Sequence, residues 1–351
     1  MKIIFVVDVK HSALHTSAQQ WCHHLDGLVY SASDFKSFQD LLNELVSQSP
    51  DLIIFSWRQV LDNAFISNRN LNLLRELGSQ SIILALVADH SGEIDLRFQS
   101  DVRLSNLNIG IVTVSKRLFE FYRELGLTPL GILPDRPNAD LIREVRNFKL
   151  NRVFNSVIWV GNSQWGRRQG YKDHKGLESK FKPVLSLAGN SGVHINGDIL
   201  DSAVRRIPQI EVFERLAKSE LLVVTSNSEG TGLPILEALG LGTNVISTDV
   251  GIARDFPAVQ LISVNDSPEV ILEEIIDWRN HKIQPEVLIQ EFESYMSGLE
   301  NSWVELLREA KSLPSLSTTF TLDTGHMRII KLLCWNAKFF VRWIKNVNKE
   351  R

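Results

Sequence analysis

The run Leu221-Leu222-Val223-Val224 leads directly into Ser226-Asn227-Ser228-Glu229-Gly230-Thr231-Gly232 and then into Leu233-Pro234-Ile235-Leu236-Glu237. No other stretch constrains the fold as tightly. The apolar run reads as a buried parallel strand. Gly230 and Gly232 permit a tight turn and a close approach of backbone to a ligand. Pro234 suits the first turn of a helix, where its missing N–H would be an orphan donor anyway. Ile235, Leu236 and Leu239 supply that helix with an apolar face, and Gly242 is its stop. The free N–H groups and dipole at such a helix start favour an anion, typically a phosphate. Glu229 and Glu237 bracket the turn. Carboxylates are poor phosphate ligands but good acceptors for the hydroxyls of a sugar or ribose.

The rest of the chain repeats strand and helix. In the first ~150 residues, strands are expected at 2–8, 28–31, 51–56, 81–88 and 109–115, with helices at 13–25, 35–47, 59–77 and 116–125. That alternation specifies a parallel sheet covered by helices on both faces, with ligands at the carboxyl ends of the strands. Asp8, Lys10, His11, Asp89 and His90 fall at such ends. Pro129, Pro134 and Pro137 break the pattern, a helix follows at 139–148, and a hinge is expected near 148–155. The second half then repeats the architecture. It has strands at 157–161, 193–196, 221–225, 244–248 and 259–264, and helices at 176–187, 210–219, 269–280 and 285–310. At 351 residues, two domains are expected.

A second motif follows the first strand of that second half: Gly161-Asn162-Ser163-Gln164-Trp165-Gly166-Arg167-Arg168-Gln169-Gly170-Tyr171-Lys172-Asp173-His174-Lys175-Gly176. A diphosphate carries about two negative charges, and a glycine-led loop rich in Arg and Lys suits such a group. Preorganised Arg and Lys stabilise that charge without a metal. No Asp-x-Asp or His/Cys constellation is spaced for a metal, and no P-loop is present.

Together these motifs resemble retaining glycosyltransferases of the GT-B fold, family 4. Glu229 and Glu237 match the family's Glu-x7-Glu signature, and Glu237-Ala238-Leu239-Gly240-Leu241-Gly242-Thr243-Asn244-Val245-Ile246-Ser247-Thr248-Asp249-Val250-Gly251 continues the match. The likeness is specific over residues 157–255 and only architectural over 1–150. It implies two Rossmann-like α/β domains facing a cleft, an acceptor-side domain at 1–150 and a donor domain at 151–311. It further implies that Glu229 accepts hydrogen bonds from the donor sugar. The amides of Thr231, Gly232 and Leu233, beside Gly230, would hold the diphosphate, and Glu237 would bind the ribose. Lys175 matches the lysine of the family's diphosphate clamp, which begins at Gly161, and the second basic residue is Arg167 or Arg168. His90 is the positional match for a histidine near the donor sugar. No cofactor is expected beyond the nucleotide sugar itself, and no nucleic-acid partner. A nucleotide-sugar epimerase of similar fold and a non-catalytic nucleotide-sugar-binding subunit are the rival readings.

Composition adds two points. Cys22 and Cys334 lie far apart and form no ligand pattern, which points to a reducing, cytoplasmic compartment. The net charge of −3 hides an asymmetry: residues 312–351 hold seven basic and two acidic side chains, leaving −8 for 1–311. At ~100° per residue, residues 327–351 sort into an apolar face and a face carrying Lys331, Lys338, Arg342, Lys345 and Lys349, with Trp335 and Trp343 toward the flanks. That describes a C-terminal amphipathic helix that either lies on an anionic membrane surface, the favoured reading, or packs across the two domains with its basic face solvated. The favoured reading suits a lipid-linked glycan acceptor, as in bacterial O-antigen or capsule assembly at the inner face of the membrane.

Overall fold

The structure is a computed structural model that describes residues 1–10, 12–88, 94–167 and 171–314. The amphipathic segment 327–351, His11, Asp89, His90 and Arg168 lie outside the described residues.

The first half forms a six-stranded parallel sheet in the order β2-β1-β3-β4-β5-β6. Its strands are β1 (Ile3–Val7), β2 (Leu28–Ser31), β3 (Leu52–Phe55), β4 (Ile82–Val87), β5 (Gly110–Thr113) and β6 (Gly131–Ile132). Helices α1 (Ala13–Leu25), α2 (Phe38–Gln48), α3 (Asn68–Gln80), α4 (Ile94–Asn106) and α5 (Lys116–Glu124) cover it. Four of these helices begin at a serine. Ser12, Ser37, Ser67 and Ser115 each accept a backbone N–H of the first turn, relieving an orphan donor. The period-2 alternation of β1 serves both faces. Ile3, Phe5 and Val7 enter one apolar cluster, and Ile4 and Val6 enter the other.

Three features differ from the sequence expectation here, the first being the sixth strand β6 among the prolines expected only to break the pattern. The segment expected as one helix at 59–77 is a 3-10 stretch, Arg58–Ile66, followed by α3, with the break at the Ser67 cap. Helix α4 was not expected at all. Part of its inner face is ionic rather than apolar: Asp101, fully buried, pairs with Arg58 at 3.0 Å and accepts from the Tyr122 hydroxyl at 2.5 Å. Hydrophobic periodicity cannot register a face of that kind.

The second half is a five-stranded parallel sheet in the order β11-β10-β9-β7-β8. It comprises β7 (Ser156–Gly161), β8 (Asn196–Asp201), β9 (Leu221–Val224), β10 (Asn244–Thr248) and β11 (Val259–Ile262). Its helices are α6 (Ala139–Asn147), α7 (Lys182–Asn190), α8 (Gln209–Lys218), α9 (Leu233–Gly240), α10 (Pro268–Trp278) and α11 (Pro285–Lys311), with a π-helical turn at Leu177–Phe181 before α7. The strand expected at 193–196 is displaced to β8. This edge strand offers only Ile199 and Leu200 as an apolar signal, and its placement is set by its pairing with β7, from Ser156↔Asn196 to Gly161↔Asp201.

Helix α11 ties the two sheets together. It packs on α9 at one end and reaches β6 and β4 at the other. Glu293 on α11 receives Arg143 at 2.7 Å and Arg146 at 3.1 Å from α6. Trp303 sets its ring 5.9 Å from that of Trp21 on α1, whose indole N–H donates to the Pro134 carbonyl at 2.9 Å. A single apolar cluster therefore runs from Phe5 and Trp21 through Phe292 and Leu306 to Ile235 and Leu239.

Candidate functional site

In an open parallel sheet the crevice opens where strand order reverses. In the second sheet that point lies between β7 and β9, since β8 flanks β7 on one side and β9–β11 extend on the other. The loops leaving β7 and β9 are the two motifs singled out in the sequence. They fold onto one another. Asn227 N–H donates to the His174 carbonyl at 2.9 Å, the Thr225 hydroxyl donates to the Lys175 carbonyl at 2.8 Å, and a His174 ring nitrogen lies 3.1 Å from the Ser228 carbonyl. Gly176 makes the approach possible. It sits at φ +69°, and a Cβ there would fall 2.3 Å from the Thr225 carbonyl oxygen.

This zipper brings Lys175 and Glu229 together. The ammonium lies 2.6 Å from Glu229 Oε1, which also accepts the Ser226 hydroxyl at 2.6 Å. Both side chains are mostly shielded, at 14% and 18% exposure, so the pair is screened less than a surface pair. The Lys175 ammonium also stands 5.2 Å from the Trp165 ring centroid, within cation–π range. His174 packs its ring 4.5 Å from the same tryptophan.

The glycine turn begins α9 as anticipated. Gly232 occupies the left-handed region at φ +84°, and Pro234 stands in the first turn. Leu233 is the first helical residue, so the amides around Thr231 and Gly232 precede the helix start. At the far end Gly242, at φ +71°, donates to the Leu239 carbonyl and ends the helix. Glu237 lies one turn into α9, 8% exposed, and burial pushes its carboxyl up to about 7 against a hydrogen bond from Gln209 that pulls it down. Gly161 ends β7, packed against the Trp159 ring. Arg167 is exposed, with its backbone N–H donating to the Gln164 carbonyl.

The turn also meets the first sheet. A Cβ on Gly230 would lie 1.7 Å from the Ala88 carbonyl oxygen at the end of β4. Thr231 Oγ1 accepts the Asp135 N–H at 3.1 Å, and Arg117 at the start of α5 donates to the Asp249 carbonyl. The carboxyl ends of the two sheets thus face each other across a closed cleft. Asp135 is a cleft residue that sequence reasoning did not select. Burial raises its carboxyl above the usual range, the Thr231 and Ser17 hydroxyls oppose that, and the charge of Glu229 adds to it. Nothing local marks it, because it lies in the proline-rich crossover and meets Thr231 and Glu229 only when the domains come together. Asp8, at the end of β1, is likewise raised by burial. Among the described residues no three His, Cys, Asp or Glu side chains converge as metal ligands.

Comparison with known proteins gives the following. Residues 203–292 match the family model described as glycosyl transferases group 1. No curated protein matches the chain. Among solved structures, HepE from Anabaena in complex with UDP superposes with a TM-score of 0.55 at 14% identity, covering 88% of this chain and all of that one. The UDP-forming α,α-trehalose-phosphate synthase of Burkholderia vietnamiensis gives a TM-score of 0.61 at 11% identity, over 91% and 98% of the two chains. Sucrose-phosphate synthase from Thermosynechococcus elongatus gives 0.56 at 12%, over 89% and 98%. The fold is GT-B: two parallel sheets, each flanked by helices, facing a cleft.

Proposed function

We propose that the protein is a metal-independent, retaining glycosyltransferase resembling family 4. It moves a sugar from a nucleotide-sugar donor to a glycan acceptor. The observation that carries this reading is the Lys175–Glu229 pair at the β7/β9 switch point, beside the start of α9. In one place the chain holds a cation for a diphosphate, a helix start for its second phosphate and a carboxylate for sugar hydroxyls. Glu237 is assigned to the ribose. Residues 151–311 form the donor domain and 1–150 the acceptor domain.

In the reaction, the bond from the anomeric carbon to the phosphate oxygen breaks. The acceptor oxygen bonds to that carbon on the same face, and its proton passes to the departing phosphate. The protein contributes positioning and a preorganised positive field at the oxygen where charge develops. His90 is assigned to the sugar end of the site, and Arg167 or Arg168 to the diphosphate. The acceptor is a growing surface polysaccharide carried on lipid, and residues 327–351 hold the protein at the inner face of the membrane.

HepE is described in complex with UDP and the trehalose-phosphate synthase as UDP-forming, so UDP-sugars are the first donors to test. The experiment is a thermal-shift panel of UDP, GDP, CDP, ADP and dTDP and their glucose conjugates, followed by donor turnover with native protein and Glu229→Ala. At least one conjugate should raise Tm, and Glu229→Ala should abolish transfer. A flat panel, or undiminished transfer by the variant, would refute the assignment.

A further inference from the structure

In the geometry seen here the Lys175 ammonium is committed to Glu229, and a diphosphate would compete with that carboxylate for it. The ammonium is 2.6 Å from Glu229 Oε1, and the pair is largely shielded from water. The motifs assign these two groups to different parts of one ligand. A nucleoside diphosphate that draws Lys175 away leaves Glu229 ionised, shielded and without its cation, with the Ser226 hydroxyl as its remaining partner among the described residues. An unpaired charge in such a place is costly. A nucleotide sugar offers hydroxyls to Glu229 as it takes Lys175, so neither group is left alone.

The lysine stem is flexible, and an ammonium released from Glu229 would ordinarily be free to turn to solvent. Trp165 restrains it. The ring stands 5.2 Å from the ammonium and is itself packed by His174, which is 3% exposed with its ring tilted against the tryptophan 4.5 Å away. Tyr171 backs His174 at 5.3 Å. The aromatic group belongs to the same loop as Lys175, so its position does not depend on Glu229.

We propose that Lys175 is a shared cation: it is bound to Glu229 while the site is empty and passes to the diphosphate when a sugar takes over Glu229, with Trp165 as the positioning residue that keeps the ammonium within reach of both. The site therefore discriminates the sugar nucleotide from the nucleotide product, and re-formation of the Lys175–Glu229 pair expels that product. This rests on the reading of the site as a nucleotide-sugar site.

Calorimetric titration of the full chain tests it, using UDP, UMP and UDP-glucose, or the set with the base that the thermal-shift panel selects. Removing the competing charge in Glu229→Gln should tighten UDP binding, by about fivefold or more, while the preference for UDP-glucose over UDP shrinks. Trp165→Leu should weaken UDP severalfold and leave UMP unchanged, because only the outer phosphate needs Lys175. Trp165→Phe, which keeps a π face, should restore most of the loss. Weaker or equal UDP binding in Glu229→Gln overturns the shared cation. Equal loss of UDP and UMP in Trp165→Leu, or no rescue by phenylalanine, overturns the positioning role. If native protein binds no nucleoside diphosphate or conjugate in the panel, the functional reading itself fails.

Discussion

Glu237 shows how one residue's surroundings set its chemistry. Its carboxyl is raised from 4.5 to about 7 because α9 buries it. Below pH 4.5 the group is protonated in native and unfolded chains alike and has no effect on stability. Between 4.5 and about 7 the unfolded chain releases the proton and the native chain keeps it, so stability falls as pH rises, by at most about 1.4 kcal/mol per pH unit from this group. Glu237→Gln should flatten that part of the Tm–pH curve relative to native protein, and parallel curves would contradict the burial argument. Function runs the other way. In the proposed site a ribose hydroxyl donates to Glu237 and favours its ionised form, so nucleotide binding near pH 6.5 should release protons. That release appears as a binding enthalpy dependent on buffer ionisation, and it should vanish in Glu237→Gln.

At the scale of the element, the strand–turn–helix around α9 depends on backbone that side chains would obstruct. Gly230 is not at positive φ; its constraint is steric, with the Ala88 carbonyl oxygen 1.7 Å from any Cβ. A backbone atom cannot rotate aside, so Gly230→Ala should hold the two sheets apart. The expected result is a chain of near-native Tm, a larger radius of gyration in solution scattering and transfer reduced about 100-fold or more. Unchanged scattering and activity would show that the contact is dispensable. Gly298 is the contrast. It is exposed within α11 with nothing within 4 Å of its Cβ position, so Gly298→Ala should stabilise by about 0.5–1 kcal/mol, read as a rise in Tm with activity unaltered.

Across the whole molecule, α11 and the closed cleft join two sheets that share no strand. The proposed site draws positive charge for the leaving group from Lys175 and the start of α9, so sugar transfer should persist in excess EDTA; a strict Mg²⁺ or Mn²⁺ requirement at that step would contradict this. Among the described residues no helix is long and apolar enough to cross a membrane. Removing residues beyond Ser312 deletes all seven basic residues of the C-terminal segment, each worth about 1 kcal/mol near an anionic surface. If residues 327–351 hold the protein to the membrane as proposed, flotation with anionic liposomes should fall sharply, and equal flotation would retire that proposal.

Much of this was legible in the chain itself. The strands are short apolar runs, and the glycine turn, Glu229, Glu237 and Lys175 stand at recognisable spacings, because these features are local and local stereochemistry writes them into neighbouring residues. The opening stretch specified a turn able to hold a phosphate and two carboxylates suited to hydroxyls. Contacts distant in the chain were decided only by the tertiary structure. Helix α4 hides its register behind the Arg58–Asp101 pair, 43 positions apart in the numbering. Asp135 meets Thr231 across 96 positions. Lys175 and Glu229, each legible alone, are 54 positions apart, and nothing in either motif says that they neutralise one another until β7 and β9 lie side by side. Pairing at such separations is set by how the sheets and helices pack, and local pattern carries no record of it.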